Sequence, residues 1–131
     1  GLEQAESETA HCQLMLLNIC FNYGGRWDIA QAAAGLAARG EAITPESLDR
    51  AMALSHVRDP DLLIRTGGEM RLSNFLLWQA AYSELVFSDK LWPDFDEAAL
   101  DSAIAAYHAR ERRFGLISEQ LASESPVLAR A

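Results

Sequence analysis

The 131-residue chain predicts an α/β fold, a parallel sheet flanked by helices, on three observations. Short uninterrupted apolar runs, Leu14-Met-Leu-Leu-Asn-Ile-Cys20 and Leu62-Leu63-Ile64, have the character of strands buried on both faces. The stretches between them carry helix start and stop signals. Strands that alternate with helices pair in parallel through crossovers.

Each element follows from local chemistry. Residues Gly1 to Cys12 are polar and acidic and read as the tail of a helix followed by a turn, with nothing ahead of them to pack against. Leu14 to Cys20 is the first expected strand. Asn22-Tyr-Gly-Gly-Arg-Trp-Asp28 is a loop leading into a helix, which Asp28 caps and which runs through Ile29, Ala33 and Leu36 to a stop at Gly40. Thr44 caps a shorter helix with Pro45 in its first turn. Leu62-Leu63-Ile64 is an interior strand that leaves Arg65 at its carboxyl end. Phe75 to Tyr82 is apolar nearly all round, as a buried helix or interface segment would be. Glu84 to Ser88 is a third strand. Trp92-Pro-Asp-Phe-Asp96 then turns the chain into an amphipathic helix with Leu100, Ile104 and Tyr107 on one face. Arg110, Arg112 and Arg113 suit the negative end of its dipole. Beyond Phe114 the weak patterning predicts a frayed tail. The whole reads as a single partial domain, with a helix tail and turn over 1–13, a body over 14–114 and the tail over 115–131.

Composition narrows the function classes. Half of the residues are hydrophobic, enough for one compact core. A net charge of −8 and a pI near 4.7 argue against a nucleic-acid partner, because no basic stripe offsets repulsion from a phosphate backbone. Cys12 and Cys20 lack the paired spacing of a zinc site and read as reduced thiols of a cytoplasmic protein. No apolar run approaches the roughly 18 residues of a membrane span, and no signal-peptide pattern opens the chain. The expectation is a soluble protein that can still touch a bilayer.

Local positive charge in an acidic chain points to a small site, and Arg65-Thr-Gly-Gly-Glu-Met-Arg71-Leu-Ser73 supplies one. In open α/β sheets ligands sit at the carboxyl ends of strands, where Arg65 stands. Gly67 and Gly68 permit positive φ and a close backbone approach, with amide N–H groups left to face an anion. Arg71 and Ser73 reach the same point, and guanidinium forks match phosphate oxygens bidentately. The competing reading is a salt bridge between Arg65 and Glu69 across a tight turn. His11, His56 and His108 are scattered and form no constellation. For Trp27, Trp78 and Trp92, packing in the core or in a dimer is the favoured role over lining an apolar channel. The loop at Asn22 and Tyr23 is a candidate lining of the site.

Four ordered blocks, Leu17-Asn-Ile19 with Asn22-Tyr-Gly-Gly-Arg-Trp-Asp-Ile29, Ile64-Arg-Thr-Gly-Gly-Glu69, Arg71-Leu-Ser-Asn-Phe-Leu-Leu-Trp-Gln79 and Leu91-Trp-Pro-Asp-Phe95, closely resemble the cis-prenyltransferases. The resemblance covers Leu14 to Phe114. It implies a transferase that condenses isopentenyl diphosphate onto an allylic diphosphate, usually farnesyl diphosphate, to build a cis-polyprenyl diphosphate. In bacteria such a product carries cell-wall precursors, and the lipid would bring the protein into peripheral contact with a membrane. By the same resemblance Arg65, Arg71 and Ser73, with the Leu72 backbone, bind the isopentenyl diphosphate. Glu84 completes a Mg²⁺ site from the neighbouring subunit of a homodimer. Asp28 matches a position linked to isopentenyl diphosphate use, alongside its reading as a helix cap.

The chain has no counterpart to the family's amino-terminal Asp-Gly-Asn-Gly-Arg-Trp block, which cradles the allylic diphosphate and supplies the main Mg²⁺ ligand. The expectation is therefore the carboxyl-terminal half of the family fold, with no catalytic residue of its own, inactive alone and prone to association. Two other readings compete with an enzyme half. One is a non-catalytic binding or dimerisation module of a prenyltransferase. The other is a nucleotide-binding domain, which the absence of G-x-G-x-x-G spacing disfavours.

Overall fold

The structure, a computed structural model, describes residues 1–110. Its elements follow in the order α1 (Leu2–Thr9), α2 (Gly25–Ala38), α3 (Pro45–Ala51), β1 (Leu62–Arg65), β2 (Glu84–Phe87) and α4 (Glu97–His108), with a 3-10 turn at Trp92–Asp94 ahead of α4. The strands β1 and β2 pair in parallel, Leu62 opposite Glu84 and Arg65 opposite Phe87. The α/β expectation is borne out, with residues 66–83 as the crossover between the strands.

Local signals place the helices. Gly40 takes φ +69° after α2, and the N–H groups of Gly40 and Glu41 bond the Ala37 and Leu36 carbonyls at 3.0 Å each, closing the helix in a left-handed stop. At α3 the Thr44 hydroxyl accepts the Ser47 N–H at 3.2 Å and the Ser47 hydroxyl accepts the Thr44 N–H at 2.8 Å, a reciprocal cap with Pro45 just inside. The helices α2 and α3 pack on one another around buried Ala32, Leu36 and Met52. The small side chains of α2 let α3 come close. The helix α1 buries none of its residues, and the Cys12 N–H bonds the Thr9 carbonyl at 2.8 Å in the turn after it.

Three expectations are corrected. Leu14 to Cys20 is not a strand: Leu14, Met15, Leu16, Leu17 and Ile19 are all exposed, and among the described residues no backbone hydrogen bond pairs the segment with another. Apolar composition marks a segment that fits a sheet; it does not supply the neighbouring strand. Phe75 to Tyr82 is a series of turns and not a helix, because Ser73, Asn74 and Leu76 adopt φ of 57°, 62° and 47° and break the helical path at its start. It is nevertheless buried at Leu76, Gln79 and Ala80. On α4 the expected stripe is only partly packed: Leu100 and Ile104 are exposed, Tyr107 is half-buried, and Ala103 is the buried residue where the helix packs on β2. A methyl-sized side chain brings the helix backbone nearer the strand than a branched one. Arg110 does not simply end the helix but reaches Glu84, while Arg112, Arg113 and the expected tail lie outside the described residues.

Candidate functional site: two arginines and a clamped loop

The strand β1 delivers Arg65 to the carboxyl edge of the sheet, where its backbone carbonyl still accepts the Ser88 N–H at 2.8 Å. Its guanidinium then turns toward the loop that follows. Nη1 donates to the Arg71 carbonyl at 2.7 Å, and Nη2 pairs with Glu69 Oε2. The other oxygen of Glu69 pairs with Arg71 Nη2, so one carboxylate holds both guanidiniums together. The salt bridge that competes with an anion site is therefore present, and it gathers the two arginines in one place. Two guanidiniums against one carboxylate leave the cluster net positive.

The glycine turn works differently from its sequence reading. Gly67 and Gly68 do take φ of 89° and 73°, which favours glycine. Their N–H groups, however, donate to the Lys90 and Ser88 carbonyls at 2.8 and 2.9 Å. They do not face an anion, because the turn continues the pairing of the two strands beyond their ends. The N–H groups of Gly67 and Gly68 are therefore taken up within the chain. Ser73 is exposed in the left-handed region, and Leu72 beside it is half-buried.

Asn74, which the motif reading passed over, ties this loop to a distant helix. Its carbonyl accepts the Gly25 N–H at 2.8 Å and its Oδ1 accepts the Arg26 N–H at 2.9 Å, so it caps α2 from across the fold. Asp28 is therefore not the cap. The helix starts at Gly25, and Asp28 is buried inside its first turn, where Oδ2 accepts the Tyr23 hydroxyl at 2.9 Å and the Gln79 amide at 3.3 Å, and Oδ1 accepts the Ala53 N–H at 3.0 Å. That carboxylate ties its helix to three other positions of the chain, with a bond to each of its oxygens. Tyr23 packs edge-on against Phe75 with ring centroids 5.8 Å apart. Burial, then the hydrogen bond to Asp28, pushes its phenol up to about 12. The loop at Asn22 and Tyr23 thus braces Phe75 from behind. No local sequence signal marks Asn74 as a cap, since its helix begins 49 residues earlier, at Gly25.

Glu84 stands at the other end of the sheet. It pairs in register with Leu62, three residues before Arg65, or roughly 10 Å along a strand at about 3.3 Å per residue. Its Oε2 accepts from Arg110 Nη1 at 2.9 Å. Among the described residues no group of three or more His, Cys, Asp or Glu could hold a metal. A single carboxylate is still a fitting share of a Mg²⁺ site, since that ion keeps waters and takes phosphate oxygens for the rest. The histidines stay scattered, His56 bonding Asn18 at 3.0 Å. Trp78 donates to Asp49 at 2.5 Å, while Trp27 and Trp92 are exposed and so are not core residues of this chain.

A family model described as "Putative undecaprenyl diphosphate synthase" matches residues 1–115. The chain belongs to that family. An isoprenyl transferase of Neisseria gonorrhoeae is 57% identical over 122 residues, which are 92% of this chain and 49% of the relative. A ditrans,polycis-undecaprenyl-diphosphate synthase of Shewanella oneidensis, named as specific for (2E,6E)-farnesyl diphosphate, is 50% identical over 92% of this chain and 46% of its own. The crystal structure of a probable undecaprenyl diphosphate synthase from Campylobacter jejuni matches with a TM-score of 0.76 and 35% identity, over 87% of this chain and 54% of that one. The chain spans about half the length of the curated relatives it matches. The cis-prenyltransferase resemblance is thereby borne out, and the fold described above is part of the family's fold. No helix among the described residues is long and apolar enough to cross a membrane.

Proposed function

We propose that this chain carries the isopentenyl diphosphate site of a cis-prenyltransferase that extends an allylic diphosphate, farnesyl diphosphate by the name of the Shewanella oneidensis relative, into a polyprenyl diphosphate. The observation that carries the reading is the gathering of Arg65 and Arg71 on a single carboxylate at the carboxyl edge of β1. A diphosphate offers more oxygens and more charge than Glu69, so it can take over both guanidiniums bidentately while Glu69 swings aside. Ser73 adds a neutral donor on the exposed turn, and Leu72 sets the backbone between them.

Chain elongation needs the allylic C–O bond to weaken while the isopentenyl double bond attacks. The residues here serve placement, holding the five-carbon nucleophile by its head so that its double bond meets the allylic carbon. Mg²⁺, when bound, stabilises charge on the diphosphate. The register that separates Glu84 from Arg65 within one chain favours a site shared across a homodimer, Glu84 of one subunit serving the metal of the other. Asp28, both of whose oxygens accept bonds from within the chain, acts by holding the loops in place. A polyprenyl product would bring the enzyme to the membrane surface and serve cell-wall assembly.

The test is Arg65→Ala in the full-length enzyme. The KM for isopentenyl diphosphate is expected to rise roughly ten- to hundredfold, as the loss of charge-assisted bonds implies. The KM for farnesyl diphosphate is expected to stay within about twofold, on the principle that only contacts to the altered substrate weaken. Equal increases for both substrates would remove Arg65 from this role.

A further inference from the structure

The four residues from Arg71 to Asn74 are pinned at both ends. At the start, Arg65 Nη1 donates to the Arg71 carbonyl at 2.7 Å. At the end, the first two N–H groups of α2 bind Asn74, one through its backbone at 2.8 Å and one through its side chain at 2.9 Å. Between the pins lie only Leu72 and the exposed Ser73.

Ser73 and Asn74 are consecutive left-handed residues, at φ 57° and 62°. Asparagine tolerates that region; serine does so less readily, and two in a row need external support. The support is the amino end of a fourteen-residue helix, whose first N–H groups have no partner within the helix and find one in Asn74. The approach is close because the helix opens on glycines. A Cβ on Gly24 would stand 2.9 Å from Asn74 Nδ2, and one on Gly25 would stand 2.9 Å from Leu77 Cγ and 3.0 Å from the Leu77 backbone nitrogen.

We propose that Asn74 is a positioning residue of the diphosphate site: its side-chain oxygen, anchored on the amino end of α2, holds the left-handed turn that presents the Ser73 hydroxyl to the isopentenyl diphosphate. Asn74 touches no substrate. It acts through Ser73, and the inference rests on the assignment of Arg65, Arg71 and Ser73 proposed above. The choice of residue follows from two demands at one position, a left-handed backbone and a side-chain acceptor within reach of the Arg26 N–H. Glycine meets the first demand alone.

That separation supplies the experiment, a double-mutant cycle in the full-length enzyme between Asn74→Gly and Ser73→Ala, with KM measured for isopentenyl and for farnesyl diphosphate. Ser73→Ala is expected to raise the KM for isopentenyl diphosphate about tenfold, the weight of one bond to a charged group. Asn74→Gly is expected to do the same, with the farnesyl diphosphate KM within about twofold and the double variant no worse than either single one. Multiplied effects in the double variant, or equal increases in both KM values for Asn74→Gly, overturn the proposal while leaving the arginine site intact. An unchanged KM in Ser73→Ala overturns the assignment of Ser73 and this inference with it. Should Asn74→Gly not fold, Asn74→Asp keeps the acceptor and carries the cycle instead. Ser73→Ala must then retain its full effect in that background, and its loss overturns the proposal.

Discussion

Two Gly-Gly pairs follow apolar runs in this chain and look alike on paper, yet they do opposite things. Gly67 and Gly68 are glycines for their dihedral angles: both have positive φ, and around Gly67 there is empty space in which a Cβ would meet nothing within 4 Å. Gly24 and Gly25 are glycines for their size, since neither has positive φ and a Cβ on either would run into Asn74 or Leu77. The first pair bends the backbone away from the end of β1 and zips it to the segment after β2. The second lets a helix end dock on the loop that bears Ser73. A shared dipeptide thus carries no single meaning; the conformation or the neighbour that needs it does.

The contrast can be broken by adding one methyl group at a time. Gly25→Ala is expected to have the largest effect, a loss of about 2 kcal/mol, because its Cβ would overlap backbone that cannot rotate away. A shift of the denaturant midpoint in the full-length protein measures it, and an unchanged midpoint would show that the docking at Leu77 is not tight. Gly67→Ala is expected to lose only about 1 kcal/mol, the penalty for left-handed backbone alone. Replacing that alanine in turn by asparagine should recover part of the loss, which steric overlap would not allow.

The smallest effect sharpens the comparison by pH. Tyr23 precedes Gly24, and its phenol titrates at about 12 in place of 10.0. The folded chain therefore holds that proton more tightly than the unfolded one, so its contribution to stability is fully present below pH 10 and is lost as pH rises toward 12. Tyr23→Phe should lower stability at neutral pH through the lost bond to Asp28 and flatten the alkaline limb of the stability curve over that window. An identical alkaline limb in wild type and variant would place the titration elsewhere.

What was legible in the sequence was what depends on neighbours along the chain. The cap at Thr44, the stop at Gly40 and the strand that presents Arg65 all follow from a few adjacent residues. The arginine pair was legible too, since Arg65 and Arg71 are only six residues apart and share Glu69. What was hidden depends on residues far away. Asp28 looked like a cap because aspartate often is one, but Asn74 holds that role and frees Asp28 to cross-link Tyr23, Ala53 and Gln79 from within. Leu14 to Cys20 looked like a strand because its side chains suit one, although strand formation is decided by hydrogen-bonding partners. Apolar periodicity likewise named Leu100 and Ile104 as the packed face of α4, where the tighter fit of Ala103 prevails.

The exposure of two tryptophans gives the chain an optical gauge. Trp27 is 59% and Trp92 76% exposed, and they stand on separate elements, one in the first turn of α2 and the other on the 3-10 turn before α4. Indole emission moves to shorter wavelength when water is excluded from the ring. Whatever comes to rest on either element will therefore announce itself in the intrinsic fluorescence, without a dye or a tag.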